Sequence, residues 1–270
     1  MRTPPLPRLC AAVAAALLCG ACRSAPDAAA PAAVAARPAP APRDAIPQEE
    51  MPDGLRYLPP PPAEGSAAKA WDEAQYAWGK EERVRNPERA ARAVQDAVFT
   101  WENLFDMFSG PFGRTISDAE TPALCAMMRY ASTSVRHGAR GVKRHYQRVR
   151  PFAEHDEPTL TPGDEPHLRG NGSYPSGHSA NGWSAALLLA ELRPSRAEEI
   201  LARGLAAGES RVIVGVHWQS DVDAGRIVAA ACVARLHADP YFRTLLEAAR
   251  AECGEDAPAS LSTPQPPVTP

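Results

Sequence analysis

Residues 121–136 read TPALCAMMRYASTSVR, and this stretch decides the kind of fold to expect. Leu124, Met127, Met128, Ala131 and Val135 recur at intervals of three and four, which gathers them on one face of an α-helix. The same period runs through residues 68–78 and 87–105 before it, and through 178–192, 195–205 and 220–236 after it. Asn86 before Pro87 suits a helix start, a side-chain cap followed by a first-turn proline. Gly110-Pro111-Phe112-Gly113 predicts a turn, residues 118–121 a cap region, and Arg193-Pro194 a break between two helices. Strand-like alternation is nearly absent; Val212-Ile213-Val214 is short and flanked by helical sequence. The expected fold is all-α, a single-domain helical bundle.

The flanks differ in kind. Of the 29 prolines, 19 lie before residue 65 or after residue 255, in Ala/Pro- or Ser/Thr/Pro-rich sequence with little to pack. Residues 23–55 are therefore expected to be a linker, 56–252 the folded domain, and 253–270 a Pro-rich tail. Residues 1–22 have the pattern of an export signal: Arg2 and Arg8 precede an apolar run at 9–18 that is too short to span a bilayer. Leu18-Cys19-Gly20-Ala21-Cys22 resembles a bacterial lipoprotein cleavage box, which makes Cys22 the expected lipidation site. The expected location is periplasmic, free or anchored to the outer membrane on its periplasmic side, with no membrane contact beyond that anchor. Net charge is −3 and no block of like charge runs long, so no nucleic-acid partner is expected. Cys125, Cys232 and Cys253 remain outside the signal, an odd number for an oxidising compartment; a Cys232–Cys253 pair with Cys125 as a buried thiol is the expected arrangement.

Three blocks carry the chemistry. In the first, Lys143 and Arg150 stand seven residues apart, two helical turns, so their side chains are expected on one face, with Pro151 ending the helix. Two such cations can grip an anion, the Arg fork holding two oxygens; the alternative is a basic solvated face that also includes Arg144, His145 and Arg148. In the second, Pro175-Ser176-Gly177-His178 opens an apolar helix whose first amides, with a glycine permitting close approach, suit an anion. Ser176 adds a hydroxyl, and His178 stands where it can protonate a departing oxygen. The alternative is a capped helix start and nothing more. In the third, Arg211 precedes His217 and Asp221, which are four apart. A carboxylate on one ring nitrogen leaves the other as a nucleophile; the alternative is a surface His–Asp pair, although Val212, Ile213, Val214 and Val216 give His217 apolar company.

Between the first and second blocks lies a long loop, residues 152–174, expected to be functional. Its His155, Asp156, Glu157, Asp164, Glu165 and His167 have no spacing that would present them together to a metal, so no metal and no cofactor is expected.

Together the blocks resemble the signature of the type 2 phosphatidic acid phosphatase superfamily, and more closely its soluble branch, the bacterial class A non-specific acid phosphatases. Tyr57-Leu58 with Pro59 to Pro62, the Gly172-Ser173-Tyr174 lead-in, and the run from His217 to Val222 share the likeness, which covers about residues 55 to 245. The chain departs from the family where Ser132, Thr133 and Ser134 replace acidic residues, and where residues 159–161 lack a cysteine. The resemblance implies metal-independent hydrolysis of varied phosphomonoesters in acid, with transfer to other alcohols as a side activity. It implies that His217 forms a phosphohistidine, that Asp221 orients it, and that His178 serves as acid and then base. Lys143, Arg150, Arg211, Ser176 and the Gly177 amide would hold the phosphoryl oxygens, in what the resemblance suggests is a homodimer. The same signature occurs in vanadium haloperoxidases, usually in much longer chains. A phosphate-capturing binding module is the non-enzymatic alternative, and it would need neither histidine.

Overall fold

The computed structural model describes residues 41–254, all within one compact unit; the expected signal, Cys22 and most of the C-terminal tail lie outside them. Ten α-helices follow one another: α1 (Ala67–Arg85), α2 (Pro87–Ala97), α3 (Trp101–Phe112), α4 (Pro122–Tyr146), the short α5 (Pro151–Glu154) and α6 (Glu165–Arg169), α7 (Gly177–Leu192), α8 (Ala197–Val214), α9 (Gln219–His237) and α10 (Pro240–Cys253). No strand occurs among the described residues, so the all-α expectation holds. No helix among them is long and apolar enough to cross a membrane.

Helix starts follow local side chains. Ser66, Asn86, Thr100 and Asp239 each accept a bond from an amide in the first turn of α1, α2, α3 and α10, satisfying donors that the helix itself cannot. α7 is apolar nearly all round and runs through the middle, with Ala180, Ala186, Leu188 and Leu189 buried. Small residues set how closely its neighbours approach. A Cβ on Gly204 of α8 would meet that of Ala186 at 2.5 Å, and one on Gly225 of α9 would meet the Ser176 carbonyl at 2.6 Å. Gly225 thereby fixes the distance between the second and third blocks. A large core joins α3, α4, α7, α9 and α10 around Phe108, Leu124, Leu189, Val228 and Phe242. A smaller one, with Phe152, Leu168, Ile213, Val214 and Val216, underlies the site.

Several expectations need correction. The helix expected over 87–105 breaks at Val98–Phe99, because Thr100 caps a new start and redirects the chain into α3. α3 runs through Pro111 to Phe112, and only Gly113, at φ 75°, makes the turn. α4 and α8 run well past their expected ends, and Val212–Val214 is the last turn of α8. Residues 41–55 of the expected linker are packed: Ile46 is fully buried, and Arg43 pairs with Asp239. Cys125, Cys232 and Cys253 are free thiols. Cys232 is held against α4, where a Cβ on Gly138 would meet its sulfur at 2.5 Å, and burial pushes its pKa up to about 12. The 152–174 loop carries α5, α6 and a 3-10 turn at Pro162–Asp164.

Candidate active site

Gly215, at φ 93°, ends α8 in a backbone conformation that disfavours side chains, and His217 occupies the turn that leads into α9. The Nδ1 of His217 lies 3.2 Å from Asp221 Oδ2, which also accepts the Trp218 amide at 2.9 Å. A carboxylate oxygen only accepts, so Nδ1 carries the ring proton and Nε2 the lone pair. Arg150 Nη1, a donor only, lies 3.1 Å from that Nε2. Both neighbours select the same tautomer.

Two residues outside the three blocks hold this pair in place. Arg148 Nη1 donates to Asp221 Oδ1 at 2.7 Å, and its Nη2 to Asp72 Oδ2 at 2.7 Å. Asp72, on α1 and fully buried, accepts the Ser220 amide at 2.8 Å and the Ser220 hydroxyl at 2.6 Å. A chain of satisfied, buried or half-buried groups thus runs from α1 to the imidazole. In the sequence Arg148 figures only in the alternative of a basic solvated face, and Asp72 carries no signal. No motif contains Asp72, and only the packing of α1 on α9 brings it there.

The first-block cations come from different elements, not from one helix face. α4 ends at Tyr146, Gln147 turns left-handed at φ 44°, and Arg150 is extended before α5. Lys143 Nζ donates to the Gly172 carbonyl at 2.7 Å. Arg150 Nε is shared by the Leu168 and Asn171 carbonyls, each at 3.0 Å, and its Nη1 reaches the Val216 carbonyl at 2.8 Å. Arg211, 1% exposed, differs from both: its Nε and Nη1 have no hydrogen-bond partner. Buried donors of a charged group left unpaired are costly, so this guanidinium is set to receive an anion.

Ser176 caps α7, its Oγ accepting from the Ser179 amide and hydroxyl at 3.3 and 2.9 Å, which leaves its own proton to donate. A Cβ added to Gly177 would meet nothing within 4 Å, so the first turn of α7 opens onto free space. His178 donates from Nε2 to the Ala97 carbonyl at 3.2 Å and meets the Phe99 ring edge-on at 4.8 Å. The break between α2 and α3 makes both contacts.

Lys143, Arg150, Gly177, His178, Arg211 and His217 line one cavity of about 650 Å³; Asp221 stands behind His217, and Ser176 behind Gly177. Burial, then Arg150, Lys143, Arg211 and Arg148, hold His217 well below the usual imidazole range, so its lone pair survives in acid. Burial, Arg211 and His217 lower His178 likewise. Burial with Arg150 and Arg211 brings Lys143 down to about 7; burial and Arg150 bring Arg211 to about 10. Asp221 is raised by burial, against the pull of Arg148 and the Trp218 amide.

Of the titratable loop residues, Asp164 and His167 line the cavity, beside Thr161, Gly163, Leu168 and Asn171. Of the six acidic and imidazole groups of the loop, His155 alone joins a cluster with metal-ligating geometry. Among the described residues only Glu73, Glu154 and His155 come close enough, and Lys69 Nζ is bonded to both of those carboxylates.

A helical bundle that converges three cations and two imidazoles on one cavity defines a class of anion-handling proteins, and comparison with known sequences agrees. Residues 122–244 match the PAP2 superfamily. The chain is 42% identical over 201 residues to a non-specific acid phosphatase of Providencia stuartii, covering 74% of this chain and 80% of that one. It is 41% identical to a non-specific acid phosphatase of Salmonella typhimurium (77% and 82% covered) and 39% identical to an acid phosphatase of Zymomonas mobilis (78% and 79%). The chain belongs to the PAP2 superfamily, in its branch of bacterial non-specific acid phosphatases.

Proposed function

We propose that this acid phosphatase hydrolyses a broad range of phosphomonoesters without a metal, through a phosphohistidine at His217. The observation that carries the reading is the buried Arg211 with two unpaired donors beside a histidine whose tautomer is fixed. The phosphoryl oxygens take the donors of Arg211, Arg150 and Lys143, the first-turn amides of α7 and the Ser176 hydroxyl. His217 Nε2, released from Arg150, attacks phosphorus as the ester P–O bond breaks, and the leaving oxygen takes a proton from His178. Water then attacks phosphorus, His178 takes its proton, and the P–N bond breaks to release phosphate. Little covalent work is asked of the protein, so charge and positioning dominate.

His178 must be protonated for the first step, although Arg211 and His217 lower its pKa in the free protein. A bound phosphoryl dianion opposes those charges and restores the proton. Transfer to an alcohol in place of water follows the same path. Export, with lipidation at Cys22, and dimerisation complete the reading; intact mass of the native N-terminus and sedimentation test them.

The test is His217→Ala, assayed with p-nitrophenyl phosphate in acid with chelator present. Wild type is expected to turn over under chelation and to be inhibited by vanadate. The variant is expected to lose turnover while still binding phosphate or vanadate. Undiminished turnover in the variant would sink the mechanism.

A further inference from the structure

The cavity is lined by more positive charge than one phosphoryl group needs. Besides Lys143, Arg150 and Arg211, its wall includes Arg136 and Arg140 of α4. Positions 136, 140 and 143 are spaced by four and three, so they form one stripe along the helix that leads to the phosphate-gripping Lys143. Both arginines are exposed, and neither forms an ion pair or a hydrogen bond with any described residue. Asp164 is the sole carboxylate among the lining residues, and it pairs with neither. Half-buried arginines such as Arg129, Arg226 and Arg235 are matched to Asp118, Asp223 and Glu50. The exposed Arg56, Arg92 and Arg144 are unmatched too, but among the described residues only Arg136 and Arg140 of the unmatched exposed arginines line the cavity. Arg136 is also steadied by another lining residue, its guanidinium 5.3 Å over the Phe99 ring.

Resting on the reading of the site given above, we propose that Arg136 and Arg140 bind a second anionic group of the substrate. The preferred substrates are then phosphomonoesters that carry another phosphate or a carboxylate. Helical rise places the Cα atoms of Arg140 and Arg136 about 4.5 and 10.5 Å along α4 from Lys143, so the second anion belongs roughly 5–10 Å from the reacting phosphorus. The cavity volume of about 650 Å³ has room for such a molecule. The fork of each arginine takes either kind of anion, and a phosphate, with three acceptor oxygens and a charge that grows from one to two through about pH 6, gains more from the pair than a carboxylate does.

The test compares butane-1,4-diyl bisphosphate, 4-(phosphonooxy)butanoate and butyl phosphate as substrates of wild type and of Arg136→Gln/Arg140→Gln. After correction for its two equivalent ends, the bisphosphate is expected to exceed butyl phosphate in kcat/KM by about tenfold in wild type, through KM, with the carboxylate ester between them. Raised salt is expected to shrink that ratio. In the double variant the ratio should fall to within about twofold of unity, while butyl phosphate changes by less than about threefold, which also shows that the variant is folded. Hydrolysis of all three by wild type without preference, or a preference that survives in the double variant, overturns the proposal alone. Failure of wild type to hydrolyse any of them overturns the reading of the site, and the proposal with it.

Discussion

The two sides of the cavity are built on opposite terms. On the His217 side every polar group has a partner: Asp221 holds the ring and the Trp218 amide, Arg148 bridges Asp221 to Asp72, and Asp72 holds Ser220. On the Arg211 side buried donors face the cavity unpaired, and the first turn of α7 opens onto space. The satisfied side fixes one tautomer and one direction for a lone pair, which reduces the reorganisation needed at the moment of reaction. The unsatisfied side stores unfavourable desolvation of charge that a bound anion relieves. Under the proposed mechanism orientation and affinity fall to different residues, and substitutions should separate them.

The sharpest break falls at His217 itself. His217→Ala should lower kcat by about 10⁴-fold or more, since it removes the group that bonds to phosphorus, with phosphate inhibition largely kept. That expectation rests on the phosphohistidine proposed above. Next comes Arg211→Gln. Each charge-assisted hydrogen bond is worth about 1.5–3 kcal/mol, so losing two should raise KM and the phosphate inhibition constant together by roughly 10²-fold or more. Asp72→Asn should do the reverse, lowering kcat by about 10- to 100-fold while leaving phosphate inhibition within about threefold, because it loosens Arg148 and Asp221 without touching the anion. Equal effects of the Arg211 and Asp72 variants on KM and kcat would erase the distinction between the two sides.

A smaller effect sharpens the comparison through pH. Lys143 is lowered to about 7 by burial with Arg150 and Arg211, so in the free enzyme it is charged below that pH and neutral above it. Phosphate inhibition should therefore weaken as pH rises through about 7. In Lys143→Arg, whose guanidinium stays charged, this alkaline limb should move up by about one pH unit or more. An unmoved limb would assign it to another group.

The same contrast explains what the sequence made legible. The α4, α7, α8 and α9 helices follow from apolar spacing, and Ser176, Gly177, His178, His217 and Asp221 could be placed because their patterns are local: a cap, a helix start, an i,i+4 pair. What escaped was non-local. Asp72 and Arg148 belong to no spacing pattern, and they matter only because α1 packs beside the turn that carries Ser220 and Asp221. Lys143 and Arg150 were expected on one helix face, but Gln147 in the left-handed region breaks that helix. Nothing in the identity of a glutamine signals such a break. The break before α3 did leave a signal, Thr100 three residues before Asn103, whose amide it caps at 3.2 Å. Apolar Val98 and Phe99 masked it by continuing the helical period.

The most direct test of the account is to find the phosphate on the enzyme. Wild type mixed with substrate in acid would be quenched within one turnover into alkali, where phosphohistidine persists, and then digested and mapped by mass spectrometry. The account predicts one phosphate on the peptide containing His217, attached at Nε2 and absent from His217→Ala. Turnover with no phosphoenzyme, or a phosphate on any other residue, would contradict it.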